Sequence, residues 1–127
     1  MADPAVNSGR AHDLLSKRWS FFLLFALPVV AIIVTGNSTI HAGARTAVWT
    51  AALAIMGTAC TINAARCRRV HCYATGPFFL LMALITCLFG IGVLPLGSSG
   101  WQLIGLTILI GGIALCCLPE LILGRYR

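Results

Sequence analysis

Charge is what this sequence has least of. Only Asp3, Asp13 and Glu120 are acidic, lysine occurs once, and charged residues fill 9% of 127 positions. A soluble domain of this size needs far more charge to cover its surface, so a water-soluble globule is excluded. Also missing are a glycine-rich phosphate loop, a G-x-S-x-G elbow, paired carboxylates and a helix carrying several histidines. Those absences argue against an ordinary hydrolase or an ATP-driven pump, and no catalytic turnover is expected. Cysteine occurs six times, below the roughly 8–10% of a disulfide scaffold, so the thiols are read as thiols or metal ligands.

Apolar length is what the sequence has instead. Hydrophobic residues make up 59% and mean hydropathy is +0.95, concentrated in four runs. Each approaches the roughly 20 residues that cross a hydrocarbon core of about 30 Å. The expected fold is all-α, an integral membrane four-helix bundle over 19–127 preceded by a polar segment, 1–18, with a short helical turn near its end. The spans are placed at about 19–35, 46–65, 77–96 and 101–123. Pro28 should kink the first, and Gly36, Asn37, Ser38 and Thr39 should end it. Gly76 and Pro77 read as the start of the third, and Pro95 with Gly97 to Gly100 as the turn after it. In the second, Ala54 with Thr58, Gly57 with Thr61, and Thr61 with Ala65 are small residues one turn apart, which makes that helix the expected centre of the bundle. A cleaved signal peptide competes for the first run because Lys17 and Arg18 precede it, but no small-residue cleavage site follows closely.

The net charge of +6 reflects orientation and not nucleic acid, since the basic residues border apolar runs without interleaved aromatics. Arg10, Lys17, Arg18, Arg66, Arg68, Arg69, Arg125 and Arg127 fall on one side of the expected membrane and only Arg45 on the other. The arginine-rich side is therefore assigned to the cytoplasm, with both termini. Trp19 and Trp101 stand where interfacial aromatics are expected. Asn37-Ser38-Thr39 matches a glycosylation acceptor, relevant only in a eukaryotic secretory pathway.

On this topology five cysteines lie towards the cytoplasmic side, and Cys87 sits near mid-membrane. The segment Arg66-Cys67-Arg68-Arg69-Val70-His71-Cys72 is read as a loop whose Cys-x4-Cys spacing lets two thiolates meet one soft ion, with His71 as a third donor. Nearby arginines favour the thiolate form. The bland alternative is an orienting basic loop with two idle thiols. Cys116-Cys117-Leu118-Pro119-Glu120 is the second constellation. Neighbouring residues on a helix diverge by about 100°, so a shared ion would need Pro119 to disturb the turn, with Glu120 as auxiliary donor. There the bland alternative is two packed thiols and an interfacial carboxylate paired with Arg125. Asn63 is read as an interhelical hydrogen-bonding residue, and His12 and His41 as solvated.

A vicinal cysteine pair in a membrane helix together with a spaced pair in a cytoplasmic loop resembles the small bacterial mercuric-ion transport proteins of the Mer type. The resemblance implies a bacterial inner membrane and a relay in which ions pass from Cys116 and Cys117 to Cys67 and Cys72. It departs from that family in placing the membrane pair in the fourth helix and not the first. The leading expectation is a membrane protein that binds or transports a thiophilic metal ion as cargo, with no resident cofactor. The candidate ligands are Cys67, Cys72, Cys116, Cys117, His71 and Glu120. Two rivals stand beside it: an accessory subunit that joins a homo-oligomer or larger membrane complex through small-residue faces, and a thiol redox protein.

Overall fold

The structure is a computed structural model that describes the backbone of residues 18–67 and 70–123, with the side chains of 18, 21, 67, 120 and 123 outside the description. The polar leader, Arg68, Arg69 and Arg125 thus fall outside it. The described residues form four helical segments and no strand.

The first, α1, runs Arg18–Phe21 as α-helix, widens to a π-helix over Phe22–Ala26 and returns to α-helix over Leu27–Asn37. Pro28 accounts for the widening. It has no N–H to give the Leu24 carbonyl and its ring crowds that oxygen, so the turn before it opens. The helix continues past 35 into the stretch expected to end it. Side chains explain this: Thr35 Oγ1 donates to the Ala31 carbonyl (2.6 Å), Asn37 Nδ2 to Ile33 (2.8 Å) and Ser38 Oγ to Val34 (2.6 Å). The last of these satisfies a carbonyl that the helix end leaves open.

Helix α2 spans Ala42–Cys67, α3 Val70–Gly90 and α4 Gly100–Leu123. The displacement of α3 from the expected 77–96 is the largest difference from sequence reasoning. Its start moves back to Val70 because Val70, His71, Cys72 and Thr75 are buried; packing overrides the basic loop read there. Pro77 therefore lies inside the helix and not at its start. Its end moves back to Gly90 through a Schellman cap. The Val93 N–H reaches the Leu88 carbonyl (2.9 Å), the Gly92 N–H reaches Phe89 (3.0 Å), and Gly92 has φ +82°.

Three segments are long and apolar enough to cross a membrane: Ala42–Arg66, Val70–Gly90 and Gly100–Pro119; Phe22–Asn37 is a shorter apolar helix. Packing follows chain order, α1 on α2, α2 on α3 and α3 on α4, while α1 and α4 are not an extensively packed pair. As expected, α2 is central, with 50% of its apolar window buried against 11% for α4. Glycine brings α2 and α3 close. A Cβ on Gly76 would lie 2.6 Å from the Thr61 hydroxyl and 3.0 Å from its backbone nitrogen, and one on Gly57 would lie 2.9 Å from the Leu80 nitrogen. Small residues that allow such approach are what helices packing in an apolar medium require.

Candidate functional site

The α2–α3 seam is written in alternating steps of three and four residues. On α2, Trp49, Leu53, Met56, Cys60 and Asn63 are buried; on α3, Cys72, Thr75, Phe79, Met82 and Thr86 are their counterparts. Such spacing keeps one stripe facing a partner helix. Of these, Leu53, Cys60, Asn63, Cys72, Thr75 and Thr86 are fully buried, and five of the six carry a polar or sulfur atom. The threonines satisfy themselves within α3, Thr75 Oγ1 donating to the His71 carbonyl (2.9 Å) and Thr86 Oγ1 to Met82 (2.7 Å).

Towards the arginine-bearing end of the seam, Cys60, Ala64 and Cys72 form one buried cluster. Asn63 lies one turn from Cys60 on α2, and His71 precedes Cys72 on α3; both are buried. Two thiols from two helices are thus buried in one cluster beside Ala64. No disulfide joins cysteines among the described residues. Chemically, a pair of thiols can lose two protons and hold one soft ion. A divalent ion bridged by two thiolates carries no net charge, which removes the penalty for burying it away from water.

Phe25 closes this cluster on one side, packing on it from the π-helical turn of α1. It also makes an edge-on contact with Phe79, with ring centroids 6.2 Å apart. Beyond Phe25 opens a cleft of about 880 Å³ between α1 and α4. Its walls are chiefly apolar, and Cys116 and Cys117 border it near the end of α4. Phe25 is therefore common to both places: it lines the cleft that Cys116 borders and covers the cluster that holds Cys72.

At the opposite end the cleft turns polar, with Asn37, Arg45, Ser98 and Gln102 on its rim. Arg45 donates from Nη2 to the Ser38 carbonyl (2.7 Å) and lies 5.4 Å from the Trp101 ring centre. Trp101 meets Trp49 and Phe89 edge-on at 5.3 and 5.2 Å. The Trp49 indole N–H donates to Thr35 Oγ1 (3.0 Å), tying α1 to α2. Trp101 is thus a packing hub as well as a residue at a helix start.

The expected ligands are distributed as follows. Cys72 is buried in α3 in one cluster with Cys60 of α2, a residue that sequence reasoning counted among the cytoplasmic-side thiols but did not nominate. Cys67 is the last residue of α2 and Glu120 lies in the last turn of α4; their side chains are outside the description. Neither Cys72 nor His71 is in a loop, which corrects the Cys-x4-Cys loop: buried neighbours on α2 carry the helix back to Val70. Helix α4 runs through Pro119 to Leu123, and Cys116, half-buried, and the more exposed Cys117 both border the cleft. Among the described residues no three His, Cys, Asp or Glu side chains gather as a metal site. The structure thus places Cys72 with Cys60 in the seam and Cys116 with Cys117 on the cleft. Compared with family models, curated proteins and solved structures, the chain matches none.

Proposed function

We propose that this chain is a multi-pass membrane protein that takes up a soft metal ion between Cys60 and Cys72. The observation that carries the reading is the joint burial of these two thiols, from different helices, in one cluster. Soft d10 ions such as mercuric and cuprous ion are content with two thiolates, whereas zinc asks for four donors. Charge favours the mercuric type, since two thiolates and a divalent ion make a neutral unit. Four apolar helices, three of spanning length, support the membrane setting, and Arg66, Arg68 and Arg69, which fall at the junction of α2 and α3 in the sequence, support a cytoplasmic position for that end. Cys67, His71, Cys116, Cys117 and Glu120 are then candidate donors along the way to or from the seam, the relay that the likeness to Mer-type transporters implies. Its two short motifs are the whole of that likeness.

The test is metal stoichiometry of protein purified in detergent under reducing conditions and then loaded with mercuric ion. Wild type should retain one tightly held ion per seam pair and release two protons as it binds, because each ligand must be deprotonated. Cys60→Ala with Cys72→Ala should lose that ion and the proton release with it. Alanine suits the site because buried cysteine packs as a small hydrophobe, so the helical signal should persist. Unchanged stoichiometry and proton release in the double variant would refute the assignment.

A further inference from the structure

The cleft between α1 and α4 is a poor route for a cation. Its walls are chiefly apolar and a guanidinium stands on its rim, so a hydrated positive ion gains nothing by entering. The same arrangement suits the opposite chemistry. Arg45 meets one carbonyl and one aromatic ring, and its Nε is buried without a hydrogen-bond partner. No carboxylate pairs with it among the described residues. Of the three acidic residues, Asp3 and Asp13 precede α1 in sequence and Glu120 lies at the far end of α4. Among the described residues, this end of the protein carries a cation with no carboxylate beside it.

We propose that the α1–α4 cleft is a binding site for an anionic phospholipid, its phosphate beside Arg45, Asn37, Ser98 and Gln102 and its acyl chain running along α4 towards Cys116. The rim supplies a charged group and neutral polar partners for a headgroup, as basic pockets between membrane helices do. From Gln102 to Cys116, α4 rises about 21 Å at roughly 1.5 Å per residue, deeper than one leaflet of about 15 Å. The volume, about 880 Å³, falls inside the roughly 300–1,000 Å³ of specific small-molecule sites. Two glycines, Gly105 and Gly112, help keep the α4 wall low. This inference rests on the membrane setting proposed above and not on the metal chemistry.

Trp49 and Trp101 line the cleft, so bromine on an acyl chain seated there quenches their fluorescence. Full-length protein with Trp19→Phe, which silences the exposed third indole, is reconstituted into phosphatidylcholine vesicles. Brominated phosphatidylglycerol or brominated phosphatidylcholine is then added in equal mole fractions. The anionic lipid should reach half-quenching at a mole fraction about fivefold lower, the effect of one basic residue on an anionic headgroup. Arg45→Gln should erase that preference and Arg45→Lys should keep most of it, while soluble glycerol phosphate should not compete.

Equal quenching by both lipids overturns the site, as does a preference that survives Arg45→Gln. Competition by glycerol phosphate overturns the lipid in favour of a free anion. Quenching by neither lipid, in protein that floats with the vesicles, means that a second copy or other protein fills the cleft. Failure to float with vesicles removes the membrane setting itself, and this inference with it, without touching the thiol test.

Discussion

Two pairs of apolar helices in this chain behave in opposite ways. Between α2 and α3 the chain closes until backbone meets backbone; between α1 and α4 it leaves a cleft of about 880 Å³. Hydropathy does not predict which pair closes, since among the three helices of spanning length α4 has the highest mean hydropathy, 2.1, and the least burial, while α2 has the lowest, 1.4, and the most. Size and polarity do. The seam places Gly57, Thr61, Gly76, Thr75 and two cysteines along its contact, while α4 offers Leu106, Leu109 and Ile113 to the open side. Where surroundings are apolar, bulk buried against bulk gains little over lipid, and close approach with internal hydrogen bonds decides what packs.

The sharpest way to break the contrast is to exchange thiols on each side of it. Removal of the seam pair should weaken mercuric binding at least about 100-fold, or roughly 2.7 kcal/mol, since no other described thiols from two helices are buried together. Cys116→Ala with Cys117→Ala, on the cleft side, should change the tightest affinity by less than about threefold, well under 1 kcal/mol. Competitive titration against a small dithiol reads both. Equal losses from the two variants would mean that the seam and cleft thiols act as one site.

Next in size is the closeness of the seam itself. Gly76→Ala sets a Cβ against the Thr61 hydroxyl at 2.6 Å and its backbone nitrogen at 3.0 Å. The hydroxyl is fixed by donation to the Gly57 carbonyl (2.8 Å), so the helices must part. Overpacking of this kind costs about 1–3 kcal/mol. Unfolding by sodium dodecyl sulfate in mixed micelles, followed by helical circular dichroism, measures it; an unshifted midpoint would show that the close approach contributes no stability.

Phe25 stands at the border between the two regions and offers a third test, independent of any metal. Removing its ring should open Cys60 and Cys72 to a small methanethiosulfonate, raising their modification rate about tenfold, equivalent to roughly 1.4 kcal/mol of lost packing. Cys117, already exposed, should react at its former rate. If Phe25→Ala leaves the seam thiols as slow as before, the route into the cluster lies elsewhere.

How much of this was readable beforehand depends on the kind of signal. Helix number, the central place of α2 and the start of α4 follow from apolar length, small-residue spacing and the Ser98-Ser99-Gly100 turn. The start of α3 was hidden because Arg66, Arg68 and Arg69 look like a loop, and the burial of Val70, His71 and Cys72 depends on α2 standing opposite. Its end was hidden because Leu94 and Leu96 continue the apolar run past a glycine cap that hydropathy does not register. Cys72 was nominated from spacing along the chain; its partner Cys60 required the spacing across helices. The alternating steps of Leu53, Met56, Cys60 and Asn63 on α2, and of Cys72, Thr75, Phe79 and Met82 on α3, would have named it.

The smallest expected effect completes the comparison by making the same substitution on the open side. A Cβ on Gly105 would stand 3.3 Å from the Trp49 ring, tight but against the edge of a side chain and not against backbone. Alanine gains helix propensity over glycine, up to about 1 kcal/mol, and the indole need shift only a few tenths of an ångström. These oppose each other, so Gly105→Ala should move the unfolding midpoint by no more than about 0.5 kcal/mol in either direction. Set beside Gly76→Ala, it asks whether one methyl group distinguishes a closed seam from an open cleft. A loss at Gly105 as large as at Gly76 would mean that α4 is held against Trp49 as tightly as α3 is held against α2, and the cleft could not then admit a lipid chain.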